Sequence, residues 1–251
     1  MTKAIEAVSQ VTNIRDRIIV ALDVETPDEA RRIARELVSH VGAFKIGMQL
    51  FTAAGPSIVR DLVEQGNKVF LDLKFHDIPN TVAKASVEAA KLGVWMFNVH
   101  AAGGGEMMAR AVNEVAEACD KGGLKQPLII GVTVLTSSTD ETLAEIGVEN
   151  AMADQVLRLA ALAAESGLDG VVASPREATA VRQAVAKKEF TIVTPGIRPT
   201  FATGDDQKRV TTLREACALG SDYVVIGRPI TAAADRLAAV DALINEDSPA
   251  N

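Results

Sequence analysis

The densest chemistry in the chain lies in one run, Asp72-Leu73-Lys74-Phe75-His76-Asp77-Ile78-Pro79-Asn80-Thr81. A lysine placed among carboxylates is fixed in position and offers a proton from an ammonium group, while the carboxylates resist a further anion beside them. Two more charges sit inside strand-like stretches: Lys45, between Phe44 and Ile46, and Asp23, after the apolar run IIVAL. Lys45, Asp72, Lys74 and Asp77 alternate in sign and are expected to form one network. At ~4 Å and an effective dielectric near 20, each neighbouring pair would interact by roughly 4 kcal/mol before desolvation. The competing reading is an ion-pair network that only closes the fold. Half-buried charges are expensive to keep, and three strand ends bring them to one rim, so the pattern favours chemistry, most clearly at Asp72 and Lys74.

A second group reads as an anion site. Thr194-Pro195-Gly196-Ile197-Arg198-Pro199 and Ile226-Gly227-Arg228-Pro229-Ile230 each place a glycine and an arginine just past a strand-like run. Glycine lets the backbone approach an anion, and a guanidinium presents a planar fork to phosphate oxygens. Pro229 is expected to open the last helix, with its N–H groups toward the same anion. The polar stretch 199–209, PTFATGDDQKR, either closes over a ligand with Gln207 reaching the phosphate or is an ordinary surface loop; composition does not choose between them. Thr136 offers a rim hydroxyl. Gly103-Gly104-Gly105 is a weaker anion candidate. His40, His76 and His100 read as structural, because no other ligand type is spaced to make a metal site with them.

These residues need a frame that brings distant segments to one rim. Short β-branched runs alternate with helix-period runs: Arg17–Asp23, Ala43–Gly47, Lys68–Lys74, Met96–His100, Leu128–Leu135, Gly170–Ser174, Thr191–Thr194 and Tyr223–Gly227 read as strands. Helices are expected over Pro27–Val41, Pro56–Gln65, Val82–Leu92, Glu106–Cys119, Ala151–Ser166, Arg176–Ala186, Leu213–Leu219 and Ile230–Ile244. Thr26 before Pro27 is an N-cap signal. Gly66, Gly93, Gly167 and Gly220 stand where left-handed C-caps belong. Eight strand–helix units in 251 residues fit a single-domain α/β (β/α)8 TIM barrel. A doubly wound sheet normally carries GxGxxG after its first strand, and here that turn reads ALDVETPDEA. In a barrel, strand period two turns Asp72 and Lys74 inward at the C-terminal end and Leu71, Leu73 and Phe75 outward against helices. The expected boundaries are an N-terminal extension over 1–16, the barrel over 17–245 and a disordered tail over 246–251.

The chain has 26 Lys plus Arg against 33 Asp plus Glu, a net charge of −7, which argues against non-specific nucleic-acid binding. No apolar run reaches membrane-spanning length and no secretory pattern opens the chain, so a cytoplasmic protein without membrane association is expected. Cys119 and Cys217 are far apart and form no CxxC, which argues against a zinc site or disulfide framework.

Taken together, ALD at Ala21–Asp23, FKIG at Phe44–Gly47, DLKFHDIPNT at Asp72–Thr81, LTS at Leu135–Ser137, PGIRP at Pro195–Pro199, DDQKR at Asp205–Arg209 and IGRPI at Ile226–Ile230 resemble the orotidine 5′-monophosphate decarboxylase family, in family order. The DxKxxDIPNT segment is highly specific; IGRPI alone is common among barrel phosphate sites. The resemblance implies conversion of orotidine 5′-monophosphate to uridine 5′-monophosphate in pyrimidine biosynthesis, with no metal or other cofactor, by a homodimer with sites at its interface. It implies that Lys74 is the proton donor to C6, that Asp72 faces the substrate carboxylate and that Lys45 completes the charge chain. Asp77 and Thr81 would come from the partner subunit. Asp23 would bind the ribose, Thr136 the pyrimidine side, and Arg198, Gln207, Gly227 and Arg228 the phosphate. Two rivals stand beside it. One is a sugar-phosphate decarboxylase of the same barrel that uses Mg²⁺, but its metal needs a carboxylate where this chain has Lys45. The other is a catalytically silent nucleotide binder, which has no need of Lys74 among acids.

Overall fold

The computed structural model describes residues 13–185, 187, 189–197 and 211–246. Eight strands, β1 (Ile18–Ala21), β2 (Ala43–Gly47), β3 (Val69–Phe75), β4 (Met96–His100), β5 (Leu128–Val132), β6 (Gly170–Val172), β7 (Thr191–Pro195) and β8 (Tyr223–Ile226), pair in parallel in chain order, and β8 closes on β1. Helices stand between successive strands. This is the (β/α)8 barrel expected from the alternation.

Strand alternation sorts the side chains into two cores. Ile18, Val20, Phe44, Ile46, Val69, Leu71, Phe97, Ile129, Val171 and Ile192 face out and pack under the helices. Ile19, Ala21, Ala43, Phe70, Met96, Leu128, Ile130, Val193, Tyr223 and Val225 face in and fill the lumen. Both faces are apolar because a parallel barrel buries both. The N-terminal floor is sealed by aromatics: Trp95 meets Tyr223 edge-on at a 5.0 Å centroid distance, and Lys68 Nζ lies 5.6 Å from the Trp95 ring centroid.

Local signals account for most of the helix ends. Thr26 Oγ1 accepts the Glu29 N–H at 3.2 Å, with Pro27 opening the helix Pro27–Leu37. Gly66, Gly93, Gly167 and Gly220 take φ of +83°, +77°, +88° and +110°, a region that disfavours residues with a Cβ. Three helical expectations change. Met48–Ala54 forms a helix before Ser57–Glu64, split from it at Gly55, φ +65°. Thr139 caps an additional short helix, Asp140–Glu145, accepting the Thr142 N–H. The expected helix Ile230–Ile244 is two helices, Arg228–Thr231 and Arg236–Asn245, because Asp235 accepts the Ala238 N–H at 2.9 Å and starts a new helix. Pro229 therefore belongs to a single short turn and not to the last helix. Expected strand β5 stops at Val132, before the rim loop that carries Thr136. Residues 13–16, read as part of an extension, lie against the barrel: Arg15 pairs with Asp241 at 2.7 Å, and Gly42 leaves no room for a Cβ beside the Asp16 carbonyl.

Candidate active site

At the C-terminal end of the lumen the inward-facing positions change from apolar to charged. Asp23 follows β1, Lys45 lies in β2, Asp72 and Lys74 in β3 and Asn98 in β4. Lys45 Nζ donates to Asp23 Oδ1 at 3.1 Å and stands 3.3 Å from Asp72 Oδ2. Lys74 Nζ donates to Asp72 Oδ1 at 2.7 Å. Gly47 makes space for the first pair, since a Cβ there would come within 3.0 Å of Lys45 Nζ and 3.1 Å of Asp23 Oδ1. The result is a chain of alternating sign, Asp23–Lys45–Asp72–Lys74. The Lys45 side chain is 9% exposed and that of Asp72 13%, against 26% for Lys74 and 55% for Asp23. Burial alone would raise the Asp72 carboxyl; Lys45 and Lys74 outweigh it, with hydrogen bonds from Lys74 and Asn98, and hold the group below the usual carboxylate range.

Of the expected four-charge network, Lys45, Asp72 and Lys74 meet within one chain, and Asp77 does not reach them from the same chain. Within one chain the fourth member is Asp23. Asp77 lies past the end of β3, is exposed, and its Oδ1 accepts the Ile78 N–H at 2.7 Å. The reason is directional: the chain leaves the barrel after Phe75, and Asp77 goes with it.

Asp72 and Lys74 do share the lumen face, but not as neighbours on a regular strand. From Leu71 to Phe75 β3 advances four residues while β4 advances two, from Phe97 to Val99. Within this bulge Lys74 takes φ +52°, the single non-glycine residue with positive φ among the described residues. A left-handed lysine costs about 1–2 kcal/mol relative to ordinary backbone, so something must hold it. Asn98 does: its Oδ1 accepts the Lys74 N–H at 2.8 Å, and its Nδ2 donates to Asp72 Oδ1 at 2.7 Å. Asn98 is the residue that the sequence reading missed. The signal was present, since asparagine is unfavourable in a buried strand and MFNVH places one at an inward position.

Two cavities meet at Lys45. One, of about 190 Å³, is lined by Lys45, Asp72, Lys74 and Asn98 on one side and by apolar residues such as Phe70, Val132 and Val193 on the other, with Thr136 at its rim. The second, of about 680 Å³, is bordered by Asp23, Lys45, Gly196, Gly227 and Arg228. Gly196 takes φ +82° there. Thr81 is exposed in the first turn of the helix Pro79–Lys91, near Asp77 and outside both cavities. Arg198 and Gln207 lie outside the described residues. His76, read as a lone residue, instead stacks on His100 with centroids 5.3 Å apart. Burial, then the charges of His76 and Lys74, push the His100 imidazole below its ordinary value. Among the described residues no group of three or more His, Cys, Asp or Glu is arranged to hold a metal ion, and no helix is long and apolar enough to cross a membrane.

A closed barrel with a charged rim, an apolar chamber and an adjoining Gly–Arg cavity defines a (β/α)8 protein built to hold a small anionic ligand at its C-terminal mouth. The family model described as orotidine 5′-phosphate decarboxylase / HUMPS family matches residues 16–243. Orotidine 5′-phosphate decarboxylases from Syntrophotalea carbinolica and Geobacter sulfurreducens are each 53% identical over 232 residues, covering 92% of this chain and 95% and 96% of theirs. A crystal structure of orotidine 5′-phosphate decarboxylase from Lactobacillus acidophilus superposes with a TM-score of 0.79 at 40% identity, covering 91% of this chain and 97% of that one. The chain belongs to the orotidine 5′-phosphate decarboxylase / HUMPS family.

Proposed function

We propose that this chain decarboxylates orotidine 5′-phosphate to uridine 5′-phosphate in pyrimidine biosynthesis, in the cytoplasm and without a metal ion. The observation that carries this reading is the Lys74 ammonium, 2.7 Å from Asp72, at the wall of an apolar chamber that opens into the Gly227–Arg228 cavity. The relatives at about half identity bear this activity in their names, and Lys45 occupies the place where a metal-dependent sugar-phosphate decarboxylase needs a carboxylate.

In this reading the pyrimidine enters the smaller chamber beside Thr136, and the phosphate lies against Gly227 and Arg228, joined by Arg198 and Gln207. Asp23 meets the ribose between them. The bond from C6 to the carboxylate carbon breaks, CO₂ leaves, and the electron pair stays on C6 in an orbital that the ring does not readily delocalise. The Lys74 ammonium attracts that developing charge more strongly than it attracts the ground state, which is the condition for acceleration. Its Nζ then gives a proton to C6 and is reprotonated from solvent. Asp72, facing the departing carboxylate, opposes the bound substrate and not the product. Lys45 keeps Asp72 ionised and in place.

We assign the active unit as a homodimer in which Asp77 and Thr81 serve the partner's site. Both are exposed, and Ile78 between them is 66% exposed, an apolar side chain left beside them at the surface. The test is loss of orotidylate absorbance with the purified chain, with and without EDTA. Turnover that EDTA leaves unchanged is expected; an inactive chain, or activity that EDTA removes, overturns the reading. For the dimer, mixing two inactive variants, Lys74→Ala and Asp77→Ala, should restore activity through heterodimers carrying one intact site.

A further inference from the structure

We propose that Asn98 is a positioning residue that selects the conformation of Lys74; this rests on the decarboxylase reading above. Three observations converge. Lys74 sits in a bulge where β3 and β4 lose register, so its N–H has no regular ladder partner across that gap. Its φ of +52° is unfavourable for a lysine, yet it is the conformation that brings Nζ to Asp72. Asn98, 1% exposed, spans both halves of the problem: one amide atom takes the backbone N–H of Lys74, the other holds the carboxylate oxygen that Lys74 Nζ also contacts. The amide orientation follows from chemistry, because the N–H requires an acceptor and the carboxylate requires a donor. The three residues thus close a ring in which Asn98 fixes the backbone of Lys74 directly and its side chain through Asp72. Leucine cannot replace it, having neither group. Aspartate reproduces both bonds only when protonated, as a carbonyl acceptor and a hydroxyl donor.

The experiment compares Asn98→Leu and Asn98→Asp with the unaltered chain. Asn98→Leu is expected to lower kcat roughly 100-fold, the scale of a misplacement near 1 Å, while KM and the Kd for uridine 5′-phosphate change by less than about threefold. Its crystal structure should show Lys74 out of the left-handed region and Nζ away from Asp72. Asn98→Asp should be impaired at neutral pH and recover as pH falls and the introduced carboxyl protonates. The other titratable groups around the position, Asp72 and Lys74 on β3, Lys45 on β2, and His100 with its stacked neighbour His76, are common to all three chains, so the recovery belongs to that carboxyl. A kcat within about threefold of the unaltered chain for Asn98→Leu, an unmoved Lys74, or an unchanged pH profile for Asn98→Asp overturns the proposal. Should Asn98→Leu not fold, the pH profile of Asn98→Asp decides. An unaltered chain that does not decarboxylate refutes the function instead, and the Lys74 geometry in the variants still judges the positioning role.

Discussion

The two ends of the same lumen handle polar groups in opposite ways. At the floor, Asp222, Arg182 and Asp169 are spent on the fold, even though Arg182 and Asp222 also line a cavity of about 400 Å³. Asp222 accepts the Ile192 N–H at 2.7 Å and pairs with Arg182, whose Nε and Nη1 also donate to the carbonyls of Gly220 and Phe190. Asp169 accepts the Ile129 N–H at 2.8 Å. At the mouth, Asp23, Lys45, Asp72 and Lys74 bond chiefly to one another and border open space. The lesson is about spare capacity. Backbone-saturated charges hold strands together, whereas charges that neutralise each other beside a cavity can exchange a partner for a ligand.

Four substitutions sharpen or break this contrast. The largest effect is expected for Lys74→Ala: decarboxylation should fall by at least about 10⁴-fold while uridine 5′-phosphate binding stays measurable by calorimetry. Near-normal turnover would remove the mouth's claim to chemistry. Asp72→Asn strips the shared counter-ion from two part-buried lysines and should cost about 3 kcal/mol in urea unfolding near neutral pH. Because the Asp72 carboxyl is held low in the folded chain, its stabilisation is present above the unfolded carboxylate value and disappears as pH falls through the folded one. The gap between the unaltered chain and Asp72→Asn should therefore close below about pH 4.

At the floor, Trp95→Ala should cost about 3 kcal/mol in the same unfolding assay, with kcat nearly unchanged. A large loss of kcat at full stability would show that floor and mouth are not separable. The smallest effect concerns Tyr223, whose phenol burial, with Asp222 nearby, pushes up to about 12. The folded chain keeps that proton where the unfolded chain loses it, so stability should decline as pH rises from about 10 toward 12. Tyr223→Phe should flatten that decline.

The architecture was legible because each strand is a short apolar run and each helix carries its own stop or start, as at Thr26 and Gly66. What was misjudged lay where a side chain overrides the local pattern: Asp235 begins a helix inside an apolar-looking stretch. Strand alternation put Asp72 and Lys74 on the correct face, yet the backbone reaches that arrangement through a bulge and a left-handed lysine. No residue type announced that conformation, since lysine avoids it. Asn98 was readable as a polar residue in a buried strand, but its meaning depended on a partner 24 positions away. Arg198 and Gln207 fall outside the described residues, and their place at the phosphate stays a proposal.

The positive φ at position 74 has a practical side. Glycine tolerates that region freely, so Lys74→Gly would relieve the local conformational burden in the same step that removes the ammonium. Such a chain would make an inert vessel, suited to capturing the uncleaved nucleotide for crystallography.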